Sequence, residues 1–161
     1  MSMHTPIGRS SQATLHSAWA VLASMLLLAA CSFFGGPKTA SVSKIKVVAE
    51  INANQSSATQ LDIVFVYDST AAALLPKTGP EWFDKKAALL AGAADSIDVV
   101  SLQVPPATIA DVSLPGRHGK AIGVYVFANY LSAAGQAVSN ITPYKSVTIW
   151  LTPGGISFKF L

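Results

Sequence analysis

Residues 44–67, KIKVVAEINANQSSATQLDIVFVY, decide the fold. At the start of this stretch Ile45, Val47, Ala49 and Ile51 alternate with Lys44, Lys46 and Glu50. A period of two that puts apolar residues on one side is the pattern of a strand with one face buried. At its end Leu61, Ile63, Phe65 and Tyr67 alternate with Asp62, Val64 and Val66, so both faces are largely apolar and the strand belongs in a sheet interior. The segment between them, Asn52 to Gln60, is mostly small and polar and reads as the connecting loop.

Working outward, the same criteria predict strands over 97–104, 109–114, 121–131, 147–152 and 156–160. The last two flank Pro153-Gly154-Gly155 and should form a hairpin. Seven short strands separated by Gly, Pro and Asn turns predict a mainly β domain over 44–161, an antiparallel two-sheet β-sandwich. One segment departs from this. Thr78-Gly79-Pro80-Glu81 has capping-box spacing with proline in the first turn, and WFDKKAALLA then runs to Gly92. This predicts one inserted amphipathic helix over about 80–91, its stripe of Trp82, Phe83, Leu89 and Leu90 covering one edge or end of the sandwich. The aromatic pair reads as core packing more readily than as a ligand platform.

The amino-terminal segment is of another kind. His4, Arg9 and His16 lie in a polar leader without acidic residues, and Ala18 to Ala30, AWAVLASMLLLAA, is almost wholly apolar. This is the organisation of a secretory signal over 1–30. Thirteen helical residues rise roughly 20 Å, short of a hydrocarbon core of about 30 Å, so a permanent span is the weaker alternative. The run ends Leu28-Ala29-Ala30-Cys31, the order of a lipobox, in which small residues before the cysteine admit the peptidase and the thiol carries the lipid. Cys31 is the chain's single cysteine, so intrachain disulfides and CxxC redox chemistry are excluded, and lipid attachment is the expected role of its thiol. A multiply acylated cysteine holds a domain on a membrane essentially permanently. Ser32 follows where aspartate would signal inner-membrane retention, which favours the outer membrane. Residues 31–43, with Gly35, Gly36 and Pro37, read as a flexible tether, the alternative being a first strand from Phe33.

Removal of 1–30 from the 161 residues leaves a chain of single-domain size. Its basic residues then exceed the acidic ones by only two and are scattered, which excludes a nucleic-acid role. His118 becomes the one remaining histidine, so no site needing two imidazoles can form. Gly116-Arg117-His118-Gly119-Lys120 has the wrong spacing for a phosphate loop and leads into a strand, so it reads as a basic turn tip. Asp62, Asp68, Asp84, Asp95, Asp98 and Asp111 are spread over different elements and give no paired-carboxylate signature. No enzyme, cofactor or metal is expected, apart from the covalent lipid.

With these elements assembled, three stretches carry a resemblance: VVAEINANQSSATQLDIVFVYD (47–68), EWFDKKAALLAG (81–92) and AIGVYVFANYLSAAGQ (121–136). They resemble the outer-membrane lipoprotein of bacterial type VI secretion systems, the TssJ family, while segment 74–80 departs from its best-known members, as in a divergent one. The resemblance implies a transthyretin-like sandwich, lipid-anchored in the outer membrane and facing the periplasm. It also implies a non-enzymatic, structural role, binding the periplasmic domain of the inner-membrane component TssM. The family's contact loop corresponds here to Asn52, Asn54, Gln55, Ser56, Ser57, Thr59 and Gln60. Small uncharged polar side chains of this kind suit an interface rim, although composition alone gives a plain solvated turn. Residues 116–120 and 132–144 are weaker candidates. The competing expectations are a sandwich lipoprotein that binds a soluble glycan or peptide, and a hydrolase using His118.

Overall fold

The computed structural model describes Met1 and residues 38–160. The signal, Cys31 and the residues as far as Pro37 lie outside the described residues, and the last part of the expected tether is not free: Ala40 and Val42 are buried in the core, and the Ala40, Ser41 and Ser43 amides donate to the carbonyls of Ala121, Thr142 and Lys145. From Lys38 onward the chain forms strands β1 (Lys44–Ala49), β2 (Thr59–Val66), β3 (Ile97–Val104), β4 (Ile109–Asp111), β5 (Gly123–Asn129), β6 (Ser139–Asn140), β7 (Ser146–Leu151) and β8 (Ile156–Phe160). Helices α1 (Ser69–Leu74) and α2 (Gly79–Gly92) separate β2 from β3.

The strands make two four-stranded sheets, in the orders β4-β1-β7-β8 and β3-β2-β5-β6. The second is antiparallel throughout. The first is mixed, which corrects the expectation of a wholly antiparallel sandwich: β1 and β7 run parallel, in register from Lys44 opposite Ser146 to Ala49 opposite Leu151. Parallel neighbours need a long crossover, and here the whole of the other sheet is threaded between them. The β7–β8 hairpin forms as expected, closed by Thr152, whose amide and hydroxyl both donate to the Gly155 carbonyl at 2.9 Å.

Leu61, Ile63 and Phe65 of β2 and Val124 and Val126 of β5 meet Ile45, Val47, Val147, Ile149 and Leu151 in the core between the sheets. Every residue of β2 from Leu61 to Val66 is buried, as its doubly apolar pattern predicts. The reason is α2, which lies over the outer face of the second sheet and makes a third layer. It covers Val64, Val66 and Phe127, and not an edge or end. Trp82 is fully buried and stacks on Phe127 at 4.8 Å between centroids. The start of α2 keeps half of the expected capping box: Thr78 Oγ1 accepts from the Glu81 amide, while Glu81 Oε2 accepts from the Lys77 amide, one residue before the cap, both at 3.4 Å. A side chain at Gly79 would collide with the Ala128 carbonyl oxygen, so only glycine lets this turn rest on β5.

Beneath α2 sits a buried polar knot. Asp62, fully buried on β2, accepts from Trp82 Nε1 and Lys86 Nζ, each at 2.8 Å, and so ties helix to sheet. The buried carboxylate is paired and hydrogen-bonded through Oδ2, while its Oδ1 has no partner among the described residues. α1 went unread in the sequence although its signal is local: Asp68 caps it, Oδ1 accepting from the Ala71 amide at 2.8 Å.

Candidate functional site, the β1–β2 turn

The segment after β1 leaves the strand pattern two residues early. β1 ends at Ala49, and Ile51, expected on its buried face, is 80% exposed. The chain then makes one turn over Ala53–Ser56 with φ of 48° at Asn54, 56° at Gln55 and 63° at Ser56. Three successive non-glycine residues in the left-handed region cost about 1–2 kcal/mol each, because Cβ crowds the following carbonyl oxygen. The surrounding contacts must hold such a turn, and strain of this sort concentrates at functional sites.

Asn54 does the holding. It tolerates the left-handed conformation better than most residues, and it is buried. Its backbone amide donates to the Thr152 carbonyl at 3.0 Å. Its side chain accepts from the Leu131 amide at 2.8 Å and donates to the Asn129 carbonyl at 3.3 Å. One residue thus joins the ends of β5 and β7, which belong to different sheets. Tyr130 adds a second tie, its hydroxyl donating to the same Thr152 carbonyl at 2.9 Å. Burial pushes that phenol up to about 12, so it remains a donor at neutral pH. On the other side the Glu50 carbonyl accepts from the Ala53 and Ala107 amides at 3.0 and 3.1 Å.

The sequence-predicted contact residues therefore separate into two groups. Asn52, Gln55 and Ser56 are exposed at the apex, with Ser57 half-buried. Asn54 and Thr59 are buried and not part of an exposed rim, and Gln60 is half-buried in β2 opposite Asn129 and Gln103. The buried Thr59 hydroxyl has no partner among the described residues. What the sequence reading missed is apolar: Ile51, and Leu131, which is 62% exposed just beyond β5, where its amide meets Asn54. Both were assigned to strands by periodicity, and nothing local marks where those strands stop.

The weaker candidates are spoken for by intramolecular contacts. Arg117 holds Asp98 in a two-pronged pair, Nε to Oδ2 and Nη2 to Oδ1 at 2.9 Å, and its guanidinium lies 3.9 Å from the Tyr67 ring centre. The Arg117 guanidinium keeps the Asp98 carboxyl below its ordinary value, and burial together with Asp98 raises the Tyr67 phenol. The 116–120 turn is clamped to the second sheet and is not a free basic tip. His118 Nδ1 lies 2.9 Å from the Pro115 carbonyl, and Asp111 pairs with Lys46 at 3.9 Å. In 132–144, Gln136 is committed to Tyr130 and Gly79. Among the described residues no three His, Cys, Asp or Glu side chains gather to hold a metal ion.

No protein-family model matches the chain, and no curated protein matches it. Solved structures do. The membrane-bound type VI secretion component Lip from Serratia marcescens is 8% identical, with a TM-score of 0.50 over 77% of this chain and 99% of that one. The type VI lipoprotein TssJ1 from Pseudomonas aeruginosa is 17% identical, with a TM-score of 0.49 over 77% and 98%. A structure described as the TssM C-terminal domain from EAEC is 16% identical, with a TM-score of 0.47 over 72% and 98%. At 8% identity the likeness to Lip is one of fold, and it is the fold implied by the sequence resemblance.

Proposed function

We propose that this chain is a non-enzymatic, lipid-anchored component of a type VI secretion membrane complex. It is tethered through Cys31 to the outer membrane, faces the periplasm, and binds the periplasmic domain of TssM through the β1–β2 turn. The observation that carries this reading is the pinned, strained apex of residues 51–57, set on a sandwich with the fold of a type VI membrane component. The apex is pre-organised by Asn54, so little conformational entropy is lost when a partner docks. It offers two exposed apolar side chains, Ile51 and Leu131, beside the uncharged polar Asn52, Gln55 and Ser56, a composition suited to an interface.

Polarity along the domain supports the same reading. β1 starts where the chain arrives from the tether and ends at the turn, so the six residues of the strand separate the two by roughly 20 Å. A membrane-tethered domain of this construction presents its apex away from the bilayer. The test is calorimetry between the domain from residue 31, carrying Cys31→Ser, and the periplasmic C-terminal domain of the cognate TssM. Micromolar or tighter binding is expected, weakened at least about tenfold by Ile51→Asp with Gln55→Ala, since both side chains are exposed and the fold should tolerate their loss. A folded parent domain that does not bind would reject the partner.

A further inference from the structure

The lysines of the described domain are unevenly placed. Lys46, Lys85 and Lys86 pair with Asp111, Glu81 and Asp62. Among the described residues the other lysines lack a carboxylate partner, and all but Lys77 lie at the end of the sandwich opposite the β1–β2 turn. Lys38 leads to Ala40, whose amide donates to the Ala121 carbonyl, and Lys120 stands next to Ala121. Lys44 opens β1 opposite Ser146, and the amides of Ser43 and Lys44 donate to the carbonyl of Lys145. Lys159, opposite Thr148, lies in the last turn-distal part of β8. All five are exposed.

Aromatic side chains sit among them. Tyr144 stacks on Phe160, Phe160 lies parallel to Phe158 at 5.9 Å, and Phe160 is 39% exposed. Of the carboxylates at this level, Asp68, Asp95 and Asp98 lie on the side of the second sheet, Asp98 already held by Arg117, and Asp111 on β4, in the same row as Lys159, is paired with Lys46. With both of these ion pairs counted, this end carries seven cations against four carboxylates among the described residues. The apex end carries Lys77 with Glu50 and Glu81.

We propose that this lysine-rich, aromatic end is a second membrane contact, which seats the domain upright on the anionic phospholipid headgroups of the leaflet holding its lipid. Charge complementarity and chain length both point to that occupant. Lysines near an anionic leaflet attract it individually, and aromatic rings settle at the headgroup level. Eight residues, 32–39, separate Cys31 from Ala40, the first residue pinned to the sandwich, and a flexible chain of that length reaches on the order of 15 Å, so a lipid on Cys31 would confine this end to the headgroup zone. The chain-length argument rests on the proposed lipid anchor, while the charge distribution stands without it.

The test separates the two. The two-sheet core is built from residues 40–158, so the domain from residue 31 with Cys31→Ser should fold without residues 1–30. It is sedimented with vesicles of equal parts phosphatidylglycerol and phosphatidylcholine, and with vesicles of phosphatidylcholine alone. The expected result is binding to the anionic vesicles only, falling as salt is raised. Lys44→Glu, Lys145→Glu and Lys159→Glu together should weaken it on the order of a hundredfold. Lys77→Glu, at the opposite end, should leave it unchanged. All these lysines are exposed, and thermal unfolding checks that the variants fold. Equal binding to both vesicles, no binding by the parent, or full binding by the triple variant would each overturn the proposal, the second pointing to an acidic protein in place of lipid. Neither a lipid anchor nor TssM is present, so this outcome is independent of the calorimetry above.

Discussion

Asn54 stands at the centre of the residue scale, because one side chain satisfies a donor and an acceptor from the end of β5 while its backbone occupies a left-handed conformation. Asn54→Ala removes both hydrogen bonds, leaves the Leu131 amide in need of a partner, and places Cβ in an unfavourable conformation. It should cost about 1–3 kcal/mol in chemical denaturation. Asn54→Gly loses the same hydrogen bonds without the conformational penalty and should cost less. If the two variants were equally stable, backbone strain would not be part of the turn's energetics. Composition alone put Asn54 among the solvated residues of a polar loop. Its burial depends on Asn129, Leu131 and Thr152, at least 75 positions away in sequence, and no local pattern announces them.

The element on which most depends is α2. Its start was readable because caps are local: Thr78, Pro80 and Glu81 are the groups that satisfy or replace terminal hydrogen bonds, whereas at the finish Gly92 is still helical and the cap is Ala93, whose amide donates to the Leu89 carbonyl. Its resting place was not readable, since an apolar stripe fits an edge, an end or a face equally well. The Asp62 knot and the Trp82–Phe127 stack choose the face. Trp82→Ala empties a fully buried site and unties one of the two donors to Asp62, so a loss of about 3–5 kcal/mol is expected by urea denaturation. The Arg117 clamp acts between elements in the same way and adds a dependence on pH. Asp98 is held below its unfolded value, so its contribution is complete above the ordinary carboxylate range and is lost as pH falls through the folded value. Between about pH 5 and about pH 2 the parent's melting temperature should therefore fall further than that of Arg117→Ala, which has less of this contribution to lose. Parallel curves would remove the clamp from the acid response.

At the scale of the whole molecule the proposed anchor makes a simple demand. Cys31→Ser in the full chain should release the protein into the soluble periplasmic fraction, whereas the parent sediments with membranes, as fractionation and immunoblotting would report. Retention of the serine variant in the membrane fraction would transfer the anchoring role to another part of the chain. The polarity of the domain, lysines at one end and a pre-organised uncharged apex at the other, gives the same expectation a direction.

The two-residue β6 was not legible in the residues themselves, but seven of the eight strands, the β7–β8 hairpin, the helix with its N-terminal cap and the doubly buried nature of β2 were. Each is set by side-chain period or by turn and cap chemistry within a few positions. The parallel pairing of β1 with β7, the third layer over the second sheet, the early end of β1 that exposes Ile51, and the burial of Asn54 and Thr59 came only with the folded chain. These depend on which distant segments share a surface. Hydrophobic burial favours covering a face without naming what covers it, so that choice is made by the packing and hydrogen bonding of residues far apart in sequence.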